Sequence, residues 1–121
     1  MATRNQKISR AMRKAWKEGN RLCFDGKLPR PTFYVDKNLL KKNTAQALWQ
    51  SIGGKQKISI DPAAIKNARY LIRLMLHEMI HQLQWQQKSE RTKHEQHGRF
   101  FQAHCLRIQK LTGYNVFWPR G

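Results

Sequence analysis

Between Asn67 and Trp85 the chain holds its most apolar long stretch, and at the centre of that stretch sit His77, Glu78 and His81. Leu71, Ile72, Leu74, Met75, Leu76, Met79, Ile80 and Leu83 cover more than the single stripe that a surface helix needs. Asn67 is placed to cap a helix running from Ala68 to Trp85. At 121 residues the chain supports one core, so residues 1–121 are expected to form a single domain with this helix buried inside it.

Histidines and a glutamate inside a buried helix need partners. His77-Glu78-Met79-Ile80-His81 has the pattern His-Glu-x-x-His, in which two histidines four apart share one helix face and reach a single metal ion. Glu78 then points beside the metal, where a carboxylate serves as general base in a zinc hydrolase. The competing explanation is that both rings are core histidines satisfied by hydrogen bonds, since a motif with three fixed positions also arises by chance.

Charge is the second constraint. Lys and Arg number 24 against 7 Asp and Glu, a formal net charge of +17, more than solubility requires. Such a surface favours a polyanion, with nucleic acid ahead of an anionic membrane. Ile8, Ala11, Met12, Ala15, Trp16 and Leu22 recur at helical spacing near the N-terminus, and Arg10, Lys14, Lys17 and Arg21 fall on the opposite face. Only Glu18 offsets seven basic residues among the first 21, so that face is expected to bind DNA rather than merely to be solvated. Met1-Ala2-Thr3-Arg4-Asn5 begins no apolar targeting segment, and no run approaches the roughly 18 apolar residues of a membrane span. The expectation is a monomer in the cytoplasm or on the nucleoid (host cytoplasm if viral), neither secreted nor membrane-bound. Cys23 and Cys105 lack the spacing of a zinc ribbon and read as buried thiols in a reducing compartment.

Asp25-Gly26-Lys27-Leu28-Pro29-Arg30-Pro31 ends the first helix. Alternation then predicts strands over Thr32–Asp36, Ala45–Ser51 and Lys57–Ile60, with Gly53-Gly54 turning a hairpin and Pro62 starting a helical segment. Gln86–Lys93 reads as a polar loop. A last helix carries Phe101, Cys105, Ile108 and Leu111 on one face and stops at Gly113. Tyr114–Pro119 is too aromatic for a free tail and is expected to pack back on the domain, with a base-stacking platform as the lesser alternative.

A catalytic zinc takes three protein ligands, and His94, His97, His104, Glu90 and Glu95 are the candidates for the third. The metzincin continuation is excluded, because Gln84 and Gln87 stand where it requires glycine and histidine. His97 and His104 lie two turns apart, roughly 10 Å along a helix, and are not expected to share an ion.

Together with His97-Gly98-Arg99-Phe100-Phe101, the motif resembles the SprT-like metalloprotease family, which includes the Spartan proteases of DNA-protein crosslink repair. Phe24-Asp25-Gly26-Lys27-Leu28-Pro29 and Lys57-Ile58-Ser59-Ile60-Asp61-Pro62 resemble that family's segments after the first helix and before the motif helix, so the likeness spans about residues 8 to 112. The resemblance implies zinc held by His77, His81 and His97 with Glu78 as general base. It also implies a zincin-like α+β fold: an N-terminal helix, a small three-stranded antiparallel sheet with an edge free to align a peptide, the motif helix and a C-terminal helix. Many members carry a zinc ribbon or basic tail after the protease core. Residues up to Gly121 hold neither, so DNA contact is expected from the first helix instead.

The reading is a zinc endopeptidase drawn to DNA, acting on proteins bound or crosslinked there. The alternatives are a basic DNA-binding protein with a structural or vestigial zinc site, and a regulatory metallopeptidase that cuts one specific protein. Tyr70, Tyr114 and several arginines are open candidates for oxyanion stabiliser.

Overall fold

The computed structural model describes residues 2–87 and 97–116. The elements run α1 (Arg4–Cys23), β1 (Thr32–Val35), α2 (Leu39–Asn43), β2 (Ala47–Ile52), β3 (Lys55–Ile60), a 3-10 turn (Pro62–Ala64), α3 (Ala68–Gln86) and α4 (Arg99–Thr112). The fold is α+β, with α1 and α3 packed against a three-stranded sheet and α4 packed on those two helices.

A capping box starts α1: the Gln6 amide N–H donates to the Thr3 hydroxyl at 3.1 Å, and the Thr3 N–H donates to Oε1 of Gln6 at 2.8 Å. Met12, Trp16, Gly19, Asn20 and Cys23 form its buried stripe. Leu22 is exposed because it sits one residue, about 100° of helix, off that stripe. Gly19 has a packing role. A Cβ there would lie 3.0 Å from Leu76 and 3.1 Å from Met79, so its absence lets α1 lie close on α3. Asn20 closes the following turn, accepting from the Leu28 N–H at 3.1 Å and donating to the Leu28 carbonyl at 3.2 Å.

The sheet order is β1-β3-β2, and it is mixed. β2 and β3 form the expected antiparallel hairpin, with Gly53 and Gly54 at φ 57° and 81° in its turn. β1, however, pairs in parallel with β3, which corrects the expectation of an antiparallel sheet throughout. The chain passes from β1 through α2 to the far side of the sheet, so the hairpin returns β3 beside β1 in the same direction. Alternation reports which face a residue occupies and is silent on strand direction. The five-residue α2 within Lys37–Thr44 carries too little apolar period to be read. Asp61 ties these parts together: its buried carboxylate accepts from the N–H groups of Leu40 at 3.1 Å and Ala63 at 2.9 Å.

Ile58 and Ile60 point into the core beneath α3, which is capped as expected by the Asn67 side chain accepting from the Tyr70 N–H at 2.8 Å. α3 buries Leu71, Leu74, Met75, Leu76, Met79 and Ile80, each worth about 1.5–3 kcal/mol on the scale of apolar transfer. α4 adds Phe101, Cys105 and Ile108 and ends at Gly113, φ 80°. Leu111 is exposed, contrary to expectation, because the inward stripe continues at Thr112. Tyr114 packs against the core and Val116 is wholly buried, whereas Phe117, Trp118 and Pro119 lie outside the described residues. Among the described residues, no helix is long and apolar enough to cross a membrane.

Candidate metal centre

The four-residue spacing on α3 sets the rings of His77 and His81 5.1 Å apart, both buried. His97 comes from a different part of the chain, immediately before Gly98, the residue that caps α4. Its Nε2 lies 3.4 Å from Nε2 of His77, and one nitrogen from each of the three rings falls within 4.8 Å of the others. Phe101 lines the cluster, its ring 4.7 to 4.8 Å from all three imidazoles. Next to the donors there is thus a dry apolar wall.

The donor chemistry fits a metal. Nδ1 of His77 donates to the Val116 carbonyl at 3.1 Å, and Nδ1 of His81 to the Gln84 side-chain oxygen at 2.7 Å. A carbonyl oxygen can only accept, so each Nδ1 carries the proton and each Nε2 presents a lone pair. Tetrahedral nitrogen ligands at about 2.0–2.1 Å from zinc lie about 3.4 Å apart, which is the His77 to His97 separation. Burial, reinforced by the neighbouring imidazole of His81, lowers the His77 pKa to about 3. Burial likewise takes His81 to about 4, against the opposing Gln84 hydrogen bond. Both rings are therefore neutral at physiological pH, the form that ligates a metal.

Glu78 is buried beside them. Its Oε1 accepts from the backbone N–H of Trp49 at 2.8 Å, which pins the carboxyl group to β2, an edge strand of the sheet. Its Oε2 lies 4.0 Å from Nε2 of His77; because that imidazole is neutral, the contact is proximity and not an ion pair. Burial raises the Glu78 pKa to about 8, with the Trp49 hydrogen bond opposing.

Of the candidates for a third ligand, the structure brings His97 to the pair. His104 lies elsewhere, half-buried against the Phe100 ring, with Arg107 Nε donating to its Nδ1 at 3.0 Å. Glu90, His94 and Glu95 lie outside the described residues, as do Lys88, Arg91 and Lys93. Cys23 and Cys105 are buried free thiols, and burial raises the pKa of both, Cys105 to about 12, which disfavours the reactive thiolate. Arg10, Lys14, Lys17 and Arg21 are all exposed. Lys14, Lys17 and Arg21 line a groove with Glu18, Asn20, Asp25 and Gly26, and Arg21 is paired with Glu18 at 2.5 Å.

Sequence reasoning missed the groups that orient the site. The Trp49 N–H and the Val116 carbonyl are main-chain atoms, which every residue type offers. Gln84, three residues beyond His81 on the same helix, did leave a signal in its spacing. Gln82 is a further case: fully buried, it accepts from Trp16 Nε1 at 3.0 Å and donates to the Pro29 carbonyl at 2.6 Å and to Gln56 at 2.8 Å. It thereby joins α3 to α1, the loop before β1 and the hairpin.

Comparison with known proteins agrees with this geometry. A family model described as the SprT-like family matches residues 12–117, from the middle of α1 past the end of α4. No curated protein matches the chain.

Proposed function

The chain belongs to the SprT-like family and so carries a metallopeptidase-like domain, and from that premise we propose a zinc-dependent endopeptidase acting on DNA-associated or DNA-crosslinked proteins. The observation that carries this reading is the convergence of His77, His81 and His97 on one point, with Glu78 fixed beside it by the Trp49 N–H. A purely structural site would need no carboxylate there.

Zinc held by the three imidazoles would polarise the scissile carbonyl and acidify a water. The chain's own part is to place and move the proton. The Trp49 N–H occupies Oε1 of Glu78, so Oε2, on the His77 side, is the atom left to take the proton from the attacking water. The same carboxyl then delivers it to the departing amine. Burial raises the Glu78 pKa, and a cation held by the three imidazoles would oppose that shift and favour the ionised carboxylate that the base needs. Phe101 keeps one side of the cluster dry.

Two features support recruitment to DNA: the net charge of +17, and the four basic side chains exposed on α1 away from its core stripe. A protease held on DNA by charge meets DNA-bound proteins at high effective concentration.

The deciding experiment measures zinc content and cleavage of a basic protein, with and without DNA, for wild type and Glu78→Gln. One zinc per chain in both is expected, with cleavage lowered about 10²–10⁴-fold in the variant, because the amide keeps the shape and cannot accept a proton. Equal cleavage by the two proteins would place the activity elsewhere. Cleavage indifferent to DNA would remove the recruitment half of the reading.

A further inference from the structure

Arg69, Arg73, His77 and His81 are spaced four apart on α3, so they form one stripe with each residue a turn beyond the last. The chain that leaves α4 at Gly113 runs along this stripe in step with it. The Arg69 guanidinium lies over the Tyr114 ring, 5.0 Å from its centroid. One turn on, Nε of Arg73 donates to the Asn115 carbonyl at 2.6 Å. One turn further, Nδ1 of His77 donates to the Val116 carbonyl at 3.1 Å. Three successive residues of this strap thus engage three successive turns of the motif helix.

The strap is anchored at both ends. At its start the Tyr114 N–H donates to the Thr112 hydroxyl at 3.1 Å, and that hydroxyl donates to the Ile108 carbonyl at 2.8 Å. At its end the Val116 side chain is wholly buried in the core. His77 is consequently flanked by both ends of one segment, with His97 before α4 close to its Nε2 and the Val116 carbonyl after α4 on its Nδ1.

We infer that Arg69, Arg73 and residues 114–116 are positioning residues of the metal centre. They hold the Val116 carbonyl against His77, which fixes the Nδ1–H tautomer and turns Nε2 toward His81 and His97. An untethered carbonyl would exchange with water and leave the ring free to swivel and to carry its proton on either nitrogen. Two of the chain's basic residues are on this account clamps, not part of its polyanion-facing surface. The inference rests on the metal reading given above.

The test is zinc affinity by competition with a chromophoric chelator, on the full chain, for wild type, Arg73→Ala and Arg73→Lys. Arg73→Ala should bind zinc about 10–100-fold more weakly, the usual cost of losing an outer partner of a ligand. Its metal-free helical circular dichroism should stay at the wild-type level. Arg73→Lys should recover part of the loss, because an ammonium can also donate to the Asn115 carbonyl. In nitrogen NMR, the His77 Nδ1 proton should exchange faster in Arg73→Ala than in wild type. Should Arg73→Ala fold poorly, Val116→Ala keeps the main chain, weakens the anchor, and should show the same loss of affinity. Wild-type affinity in whichever variant folds would overturn the inference even if its thermal midpoint fell, since the strap would then be ordinary packing. A wild-type chain that takes no zinc would overturn the metal reading itself, and this inference with it.

Discussion

The two long helices, 20 residues in α1 and 19 in α3, touch at Gly19 and treat their polar groups in opposite ways. α1 keeps its charged side chains in solvent and buries one stripe, in which Asn20 bonds to the Leu28 backbone. α3 is buried on nearly every side and carries His77, Glu78, His81, Gln82 and Gln84 inside the protein. The Val116 carbonyl, the Trp49 N–H, Gln56, Trp16 and the Pro29 carbonyl come from five different parts of the chain to satisfy them. A polar group in water needs no help from the fold, whereas a buried one costs free energy unless the fold supplies its partner. Changes to the inward polar groups of α3 should therefore reach metal, chemistry or stability, and changes on the outer face of α1 binding alone.

The largest effect that would sharpen this contrast is loss of the metal. His81→Ala should reduce zinc from one per chain to near zero by metal analysis, because it removes one of three donors. His104→Ala should retain full zinc, since that ring is half-buried against Phe100 away from the cluster. Loss of zinc from both variants would mean that any histidine change unsettles the fold, and the distinction between site and scaffold would fail.

A smaller effect is expected where the two helices meet. Gly19→Leu places a side chain where even a Cβ would lie 3.0 Å from Leu76 and 3.1 Å from Met79, both buried. Leucine is the better helix former by about 1 kcal/mol, which works for the variant. Overpacking a filled core costs about 1–3 kcal/mol, and the net change should be a lower midpoint in denaturant unfolding. An unchanged or raised midpoint would show that α1 is free to move away from α3, and that the close approach at Gly19 does not constrain the pair.

How much of this was legible in the sequence follows the same division. His77, Glu78 and His81 could be read together because they are local to one helix whose period and cap are written in its own residues. His97 could not be chosen over His94 or Glu90 by spacing; only its place in a known pattern singled it out. The parallel pairing of β1 with β3 escaped because direction depends on a crossover through α2, too short to show a period. Leu22 and Leu111 read as inward because their spacing fits the apolar period of their helices, and a one-residue shift on a helix is enough to expose them. The orienting groups were least legible, since a backbone N–H or carbonyl looks the same at every position until the fold brings it to a histidine.

The smallest expected effect on the fold, and the one that isolates the outer face, comes from Lys14→Glu together with Lys17→Glu. Both side chains are exposed and line the groove on α1, and among the described residues neither has an acidic partner of the kind that Glu18 gives Arg21. Surface changes away from such partners usually lie within about 0.5 kcal/mol, so the thermal midpoint should barely move. DNA binding should weaken, and the slope of log affinity against log salt should flatten by about 0.9 for each duplex phosphate that the variant no longer neutralises, or about 0.7 on a single strand. DNA-stimulated cleavage should fall with binding, while cleavage of a free peptide should hold, because the three imidazoles and Glu78 are untouched. An unaltered slope would mean that this face only keeps the protein soluble. DNA contact would then pass to Lys88, Arg91 and Lys93, the basic residues that follow the motif helix in sequence.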